Sequence, residues 1–202
     1  MAKKPFNREQ VNELLYQALE TEIGGIAIYE NAVAAAINDD LRKEWTEYLE
    51  QTRTHKQVLL GVFEQLGLDP KTMTPGRKVV KLIGETLANA IAMALANDKP
   101  EAAQIVAGEC VSLAETKDHM NWELIGHVAK EGKGDETKIL LAAYEEVEDQ
   151  EDEHLYHSKG WTRELWIKAL GFPAVLPPPE ERKHVETAIG AARAEQARKD
   201  ML

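Results

Sequence analysis

Along most of the chain, apolar residues recur every three or four positions, and no stretch sustains the two-residue alternation of a strand. The pattern predicts an all-α fold. The first helix has a readable start: Asn7 can cap it, Gln10 completes a capping box, and Phe6 and Val11 are spaced as a hydrophobic staple. Its apolar stripe of Leu14, Ala18, Ile26 and Val33 carries it to about Asn38. Asp39 or Asp40 then caps a second helix from Leu41 to about Leu66, with Gly67 and Pro70 as its stop. Val79 to Ala96 reads as a shorter apolar helix. Lys81, Glu85 and Asn89 interrupt it, and its length is marginal for a membrane span, so a crossover packed on the core is expected.

Pro100 suits the first turn of a third long helix reaching about Lys130. After a turn at residues 131–134, Asp135 or Thr137 starts a fourth that runs to about Leu170, closed by Gly171, Pro173 and Pro177-Pro178-Pro179. Residues 180–200 read as one charged, Ala-rich amphipathic tail helix. Short links within each pair of long helices imply two antiparallel hairpins joined by a long crossover containing a short helix. The expected organisation is a four-helix bundle over residues 1–170, then a Pro-rich linker and C-terminal helix over 171–202.

Charge adds a question to this outline. The 202 residues carry 35 acidic against 24 basic side chains, a net charge of −11, which argues against nucleic acid as a partner. The single cysteine, Cys110, excludes an internal disulfide or a site built from several thiolates. No apolar run follows the basic residues at the start, so no signal peptide is read there, and a cytoplasmic protein without a membrane partner is expected. The acidic excess is either a solvated surface or a set of metal ligands.

Spacing favours ligands for part of it. Helix one has Glu22 with Tyr29 seven residues later, and helix three has Glu115 with Trp122 at the same interval. Two turns put each aromatic on the stripe of its glutamate, and both stripes are otherwise largely apolar. A charge there is costly unless paired or ligated. Helix four contains Glu151-x-x-His154, a spacing that aims both side chains at one centre. Helix two has His55, but Thr52 stands three residues before it, and Glu50, five before, points roughly 140° away in a regular helix. Either a π-bulge brings Glu50 round to His55, or Glu50 is a surface charge. Glu22 to Glu115 spans 93 residues and His55 to His154 spans 99, so each half offers a similar hairpin. Facing each other, four carboxylates and two histidines suit two iron or manganese ions.

At these residues the chain resembles the ferritin-like superfamily of di-iron carboxylate proteins. Leu14-x3-Ala18-x3-Glu22-x6-Tyr29-x2-Ala32 looks like the first helix of bacterioferritins and rubrerythrins. Leu49 to His55, followed by the Leu66-to-Pro70 ending, is similar to their second helix, and closer still to small bacterial stress-associated ferritin-like proteins with a Thr at that position. The resemblance covers residues 10–166 loosely. It implies Glu22, Glu50, His55, Glu115, Glu151 and His154 as ligands of two metal ions. It also implies oxidation of Fe(II) or a small reductant by O2 or hydrogen peroxide, or else storage of iron in a cage, with a homodimer or larger homo-oligomer as the assembly. A structural or stress-interaction bundle without metal is the remaining alternative. Thr52 departs from the family pattern, the rubredoxin-like four-cysteine module is absent, and no Met is placed as a haem ligand.

Other residues add detail. His119, one turn after Glu115, is expected as a further ligand, a partner of a ligand or a proton shuttle; Tyr29 is the candidate for a redox role beside the site. Gly24-Gly25 inside helix one implies close approach of another helix, room for a small oxidant or plain tolerance. Glu148 and His157 flank the Glu151/His154 pair and cannot both face its centre; one is expected beside it and the other exposed. His127 and His184 are expected at the surface, Trp45, Trp161 and Trp166 as packing residues, and Cys110 as an inert buried thiol. Two divalent ions would bring the net charge to about −7.

Overall fold

The computed structural model describes residues 4–202, so Met1, Ala2 and Lys3, on which the leader reading partly rests, lie outside the described residues. Among them the only extended pairing is one bridge between Lys4 and Gly132; the rest of the architecture is helical. The elements are α1 (Arg8–Ala35), α2 (Asp39–Leu66), α3 (Pro75–Asn97), α4 (Pro100–Glu131), α5 (Glu136–Ala169), α6 (Pro179–Arg182) and α7 (Ala188–Ala197), with a closing 3-10 turn, Arg198–Met201.

The local chemistry of the helix ends explains most boundaries. Asn7 Oδ1 accepts the Gln10 N–H at 3.3 Å and starts α1. Asn38, not Asp39 or Asp40, caps α2: its Oδ1 accepts the Leu41 N–H at 3.1 Å. The cap falls earlier because α1 stops at Ala35, and Gln104 of α4 accepts the N–H groups of Ile37 and Asn38, both at 2.8 Å, which fixes the link. Asp39 and Asp40 instead occupy the first turn, where acids favour the helix dipole. Gly67, at φ +67°, closes α2 in the left-handed conformation that glycine adopts without penalty. Thr74 caps α3 at Pro75, a turn before the apolar run begins. The tail is not one helix. It breaks at His184, at φ +49°, and restarts with Thr187 as the cap of α7.

Contacts between helices set the topology. Asn121 bonds Thr21 while Gln104 bonds the end of α1, so α1 and α4 are antiparallel. Tyr48 meets His157 while His55 meets Gln150, so α2 and α5 are antiparallel too. α1, α2, α5 and α4 thus close a ring. α3 lies outside it, parallel to α1, held by Arg77 Nε to Glu20 at 2.7 Å and by Asn31 Nδ2 to the Ala88 carbonyl at 2.9 Å. Between them, a Cβ on Gly24 would stand 3.3 Å from the Gly84 Cα, and one on Gly25 would stand 3.3 Å from the Thr52 methyl. Close helix approach therefore accounts for the Gly24-Gly25 pair.

α3 packs on the core as the crossover is expected to, with Ala88 and Ile91 joining an apolar cluster of α1 and α4, but it does so by one face only. By length and composition it is the one helix among the described residues long and apolar enough to cross a membrane. Only its inner face is covered, by Val80, Ala88, Ile91 and Ala94, while Val79, Leu82, Ile83 and Met93 are exposed. The tail straps onto α5: Glu164, fully buried, accepts the Val175 N–H at 2.8 Å and Arg198 Nε at 2.7 Å.

Two apolar clusters fill the ring. One packs around Leu41, Trp45, Val111 and Trp161; the other around Leu15, Phe63, Ile125 and Leu140. Along every helix of the ring they are separated by a belt of buried polar residues: Glu22, Thr52, His55, Glu115, Asp118, Glu151 and His154.

Candidate metal centre

The belt exists because each helix turns one polar stripe inward at the same level. α1 supplies Glu22, α2 His55, α4 Glu115 and Asp118, and α5 Glu151 and His154, all at most 5% exposed. His55 Nδ1 lies 2.8 Å from Glu151 Oε1 and 3.9 Å from Glu22 Oε1. His154 Nδ1 lies 3.6 Å from Glu115 Oε2 and 3.9 Å from Glu151 Oε1. Ligand atoms of His55, Glu151 and His154 fall within 4.8 Å of one another, as do those of Glu22, Asp118 and Glu151. The two groups share Glu151, and each can hold a metal ion.

The residues present fit such ions. Glu22 Oε2, Glu115 Oε2, Asp118 Oδ1, Glu151 Oε2, His55 Nδ1 and His154 Nδ1 are all buried with no hydrogen-bond partner outside this group, whose closest internal contact is His55 Nδ1 to Glu151 Oε1 at 2.8 Å. Buried polar atoms are ordinarily satisfied, and one of them left bare costs about 1–3 kcal/mol. Six such atoms at one level, from four helices, form a donor set of carboxylate and imidazole suited to iron, manganese or zinc rather than to a soft thiophilic ion.

The electrostatics say the same. Burial, then Asp118 and Glu151, hold the Glu22 carboxyl well above the usual range, against the opposing Trp122 hydrogen bond. Asp118 is raised by burial and by Glu151 and Glu115. Glu151 is pushed up to about 8 by burial and by Glu115, with His154 opposing. Burial lowers His55 below its ordinary value, so its imidazole is neutral and can offer a lone pair. Without a cation, these carboxyls hold protons that a metal would displace.

The aromatics at seven-residue spacing cross over. Trp122 of α4 donates its indole N–H to Glu22 of α1 at 2.9 Å. Tyr29 of α1 is raised by burial and then by Glu115 of α4. Tyr29 is fully enclosed, its ring 6.1 Å from that of His154, and the Tyr48 ring lies 4.1 Å from the same histidine. The imidazoles of His55 and His154 stack at 5.6 Å.

Two residues expected in the centre stand outside it. Glu50 is exposed and pairs with Arg53, which also bonds Glu30 at 2.9 Å. α2 is regular α-helix across this stretch, with no π-bulge to turn Glu50 inward. His119 faces α5 away from the cluster, with Nε2 2.6 Å from Asp152 and Nδ1 3.7 Å from Glu123. Asp118, one residue earlier, takes the inward direction. Four carboxylates and two histidines do meet, but the fourth carboxylate comes from α4 rather than α2. The signal was Glu115-x-x-Asp118, an i,i+3 pair like Glu151-x-x-His154. Thr52, in place of a glutamate, donates its hydroxyl to the Tyr48 carbonyl.

Of the remaining candidates, Glu148 is half-buried, 3.7 Å from Lys130, whereas His157 is buried against Tyr48 and Glu44. Glu44 also accepts the Trp161 indole N–H. Trp45 and Trp161 are buried; Trp166 is exposed instead, with its indole N–H on Glu109. His127 and His184 lie at the surface. Cys110 is buried, which raises its thiol pKa and keeps it the unreactive thiol. Comparison with protein-family models, with curated proteins and with solved structures finds no match to this chain.

Proposed function

We propose that this chain is a di-metal protein of ferritin-like architecture that oxidises Fe(II) or a small reductant with O2 or hydrogen peroxide. The observation that carries the reading is the set of six buried ligand atoms, four carboxylate oxygens and two imidazole nitrogens, that have no other partner. Glu22, Asp118 and Glu151 would hold one ion; His55, His154 and Glu151, with Glu115 beside His154, would hold the other. A pair of redox-active divalent ions supplies electrons and open coordination positions to a small oxidant.

The chain's own residues then have defined tasks. Glu151 serves both groups. Trp122 fixes the rotamer of Glu22 through its N–H. The apolar clusters at either end exclude bulk water. Tyr29 is a buried oxidisable ring beside Glu115, and its enclosure protects it from solvent. His119, bonded to Asp152, is half-way to the surface and suits proton transfer outside the ligand set.

Anaerobic titration with Fe(II), followed by mixing with O2 or peroxide, tests this reading. Saturation at two Fe(II) per chain and fast appearance of ferric absorbance are expected. No bound iron, manganese or zinc under these conditions would leave the metal-free structural bundle. Size-exclusion chromatography of the loaded protein separates a small oligomer, as expected of an oxidase, from an iron-storage cage.

A further inference from the structure

Two glutamines outside the ligand set repeat with the histidines. Gln51 and Gln150 each stand four residues before the histidine of their own helix, and both the glutamines and the histidines are 99 residues apart. Four residues is about one turn, so each glutamine shares a face with its own helix's histidine. Because α2 and α5 are antiparallel, however, each glutamine comes level with the histidine across the seam. Gln150 Oε1 lies 2.7 Å from His55 Nε2, and Gln51 Oε1 lies 2.6 Å from His154 Nε2.

The chemistry of this pairing is directional. An amide oxygen only accepts, so the ring nitrogen it meets carries the hydrogen. A neutral imidazole protonated at Nε2 has its lone pair at Nδ1. Those Nδ1 atoms are the ones buried among the carboxyls: His55 Nδ1 lies 2.8 Å from Glu151 Oε1, where a protonated Glu151 can donate to it, and His154 Nδ1 lies 3.6 Å from Glu115 Oε2. The acceptor is also uncharged. A carboxylate at either position would add negative charge beside four acids already crowded together, whereas the amide orients the ring without that repulsion.

We propose that Gln51 and Gln150 form a crossed positioning pair, each holding the other helix's histidine as the Nε2–H tautomer so that both Nδ1 atoms face a divalent cation. The inference rests on the metal reading above. Both glutamines also border an open groove of about 700 Å³ between α2 and α5, with Thr46, Glu47 and Thr54. Substitution there changes the acceptor without opening a sealed core.

The test uses the full-length chain with Co2+ alone as the probe, and has a metal-free arm. In nitrogen-15 spectra of the apo protein, both histidines should show protonated Nε2 and unprotonated Nδ1. Gln51→Leu and Gln150→Leu keep the volume and lose the acceptor; each should mix the tautomers of the opposite histidine and weaken Co2+ binding roughly 10- to 100-fold. Gln51→Glu and Gln150→Glu restore an acceptor and should bring the tautomer back. Protonated Nδ1 in the wild-type spectrum, or leucine variants with wild-type spectra and affinity, would overturn the positioning pair while leaving the metal reading intact. A wild-type chain that binds no Co2+ would overturn the metal reading, and this inference with it.

Discussion

Glu151 offers a perturbation whose sign reverses between the metal-free and metal-loaded protein. Its carboxyl is raised from an ordinary 4.5 to about 8, mainly by burial and by Glu115. A raised carboxyl contributes stability that is whole below the unfolded pKa and is lost as pH rises through the folded one. Ionising Glu151 in the metal-free fold therefore costs on the order of 5 kcal/mol by pH 9, at about 1.4 kcal/mol per pH unit between the two values. Gln is the shape of the protonated acid and carries no charge. Glu151→Gln should leave the metal-free protein's stability nearly unchanged at pH 5 and raise it by several kcal/mol at pH 9. Glu22 and Asp118, both pushed up by Glu151, should then titrate lower. In the Co2+-loaded protein the same substitution should be destabilising, because a shared ligand is lost. Urea denaturation with and without chelator, from pH 5 to 9, measures all of this. A metal-free Glu151→Gln protein that is no more stable than wild type at pH 9 would refute the reasoning.

Five further substitutions separate the centre from its surroundings. Asp118→Asn should weaken one of two Co2+ sites in a calorimetric titration, while His119→Ala leaves two ions bound. Glu50→Ala should leave metal stoichiometry unchanged and shift stability by less than about 1 kcal/mol, as an exposed pair with Arg53 does. Trp122→Phe removes the donor that holds down the Glu22 pKa, and should cost about 1–3 kcal/mol of metal-free stability in urea at neutral pH. Gly24→Leu must push α3 away from α1 at the Gly84 contact. It should cost about 1–3 kcal/mol and speed amide exchange along Pro75–Asn97.

The long helices were legible because each advertises itself twice, by apolar periodicity and by chemistry at its ends. Asn7, Gly67 and Pro100 act in the structure as their residue types suggest. The boundary at Asn38 was less legible because the deciding contact comes from Gln104, 66 residues away. The composition of the tail is helical throughout and gives no sign of a break; the break at His184 accompanies docking on α5 through Glu164 and Arg163.

At the centre, Glu22, His55, Glu115, Glu151 and His154 stood out as polar residues on inward stripes, and the fold brings all five together. Asp118 and His119 are adjacent on one helix, so a small rotation decides which faces inward. The rotation is set by packing of α4 on α1 and α5, where Gly108 fits against Thr162 and Gly126 against Tyr144. Residue spacing within α4 admits both, since Asp118 stands three and His119 four residues after Glu115. The crossed contacts of Trp122 with Glu22, and of each glutamine with the opposite histidine, likewise require the relative height of two helices.

If the proposed function is right, two cations share Glu151 inside the bundle. Anomalous diffraction from crystals grown with Mn2+ or Co2+ tests it most directly. Two peaks are expected within the belt, one against Glu22, Asp118 and Glu151 and one against His55, His154 and Glu151. A single peak, peaks confined to surface acids, or an empty belt with its carboxyls hydrogen-bonded to one another would contradict it.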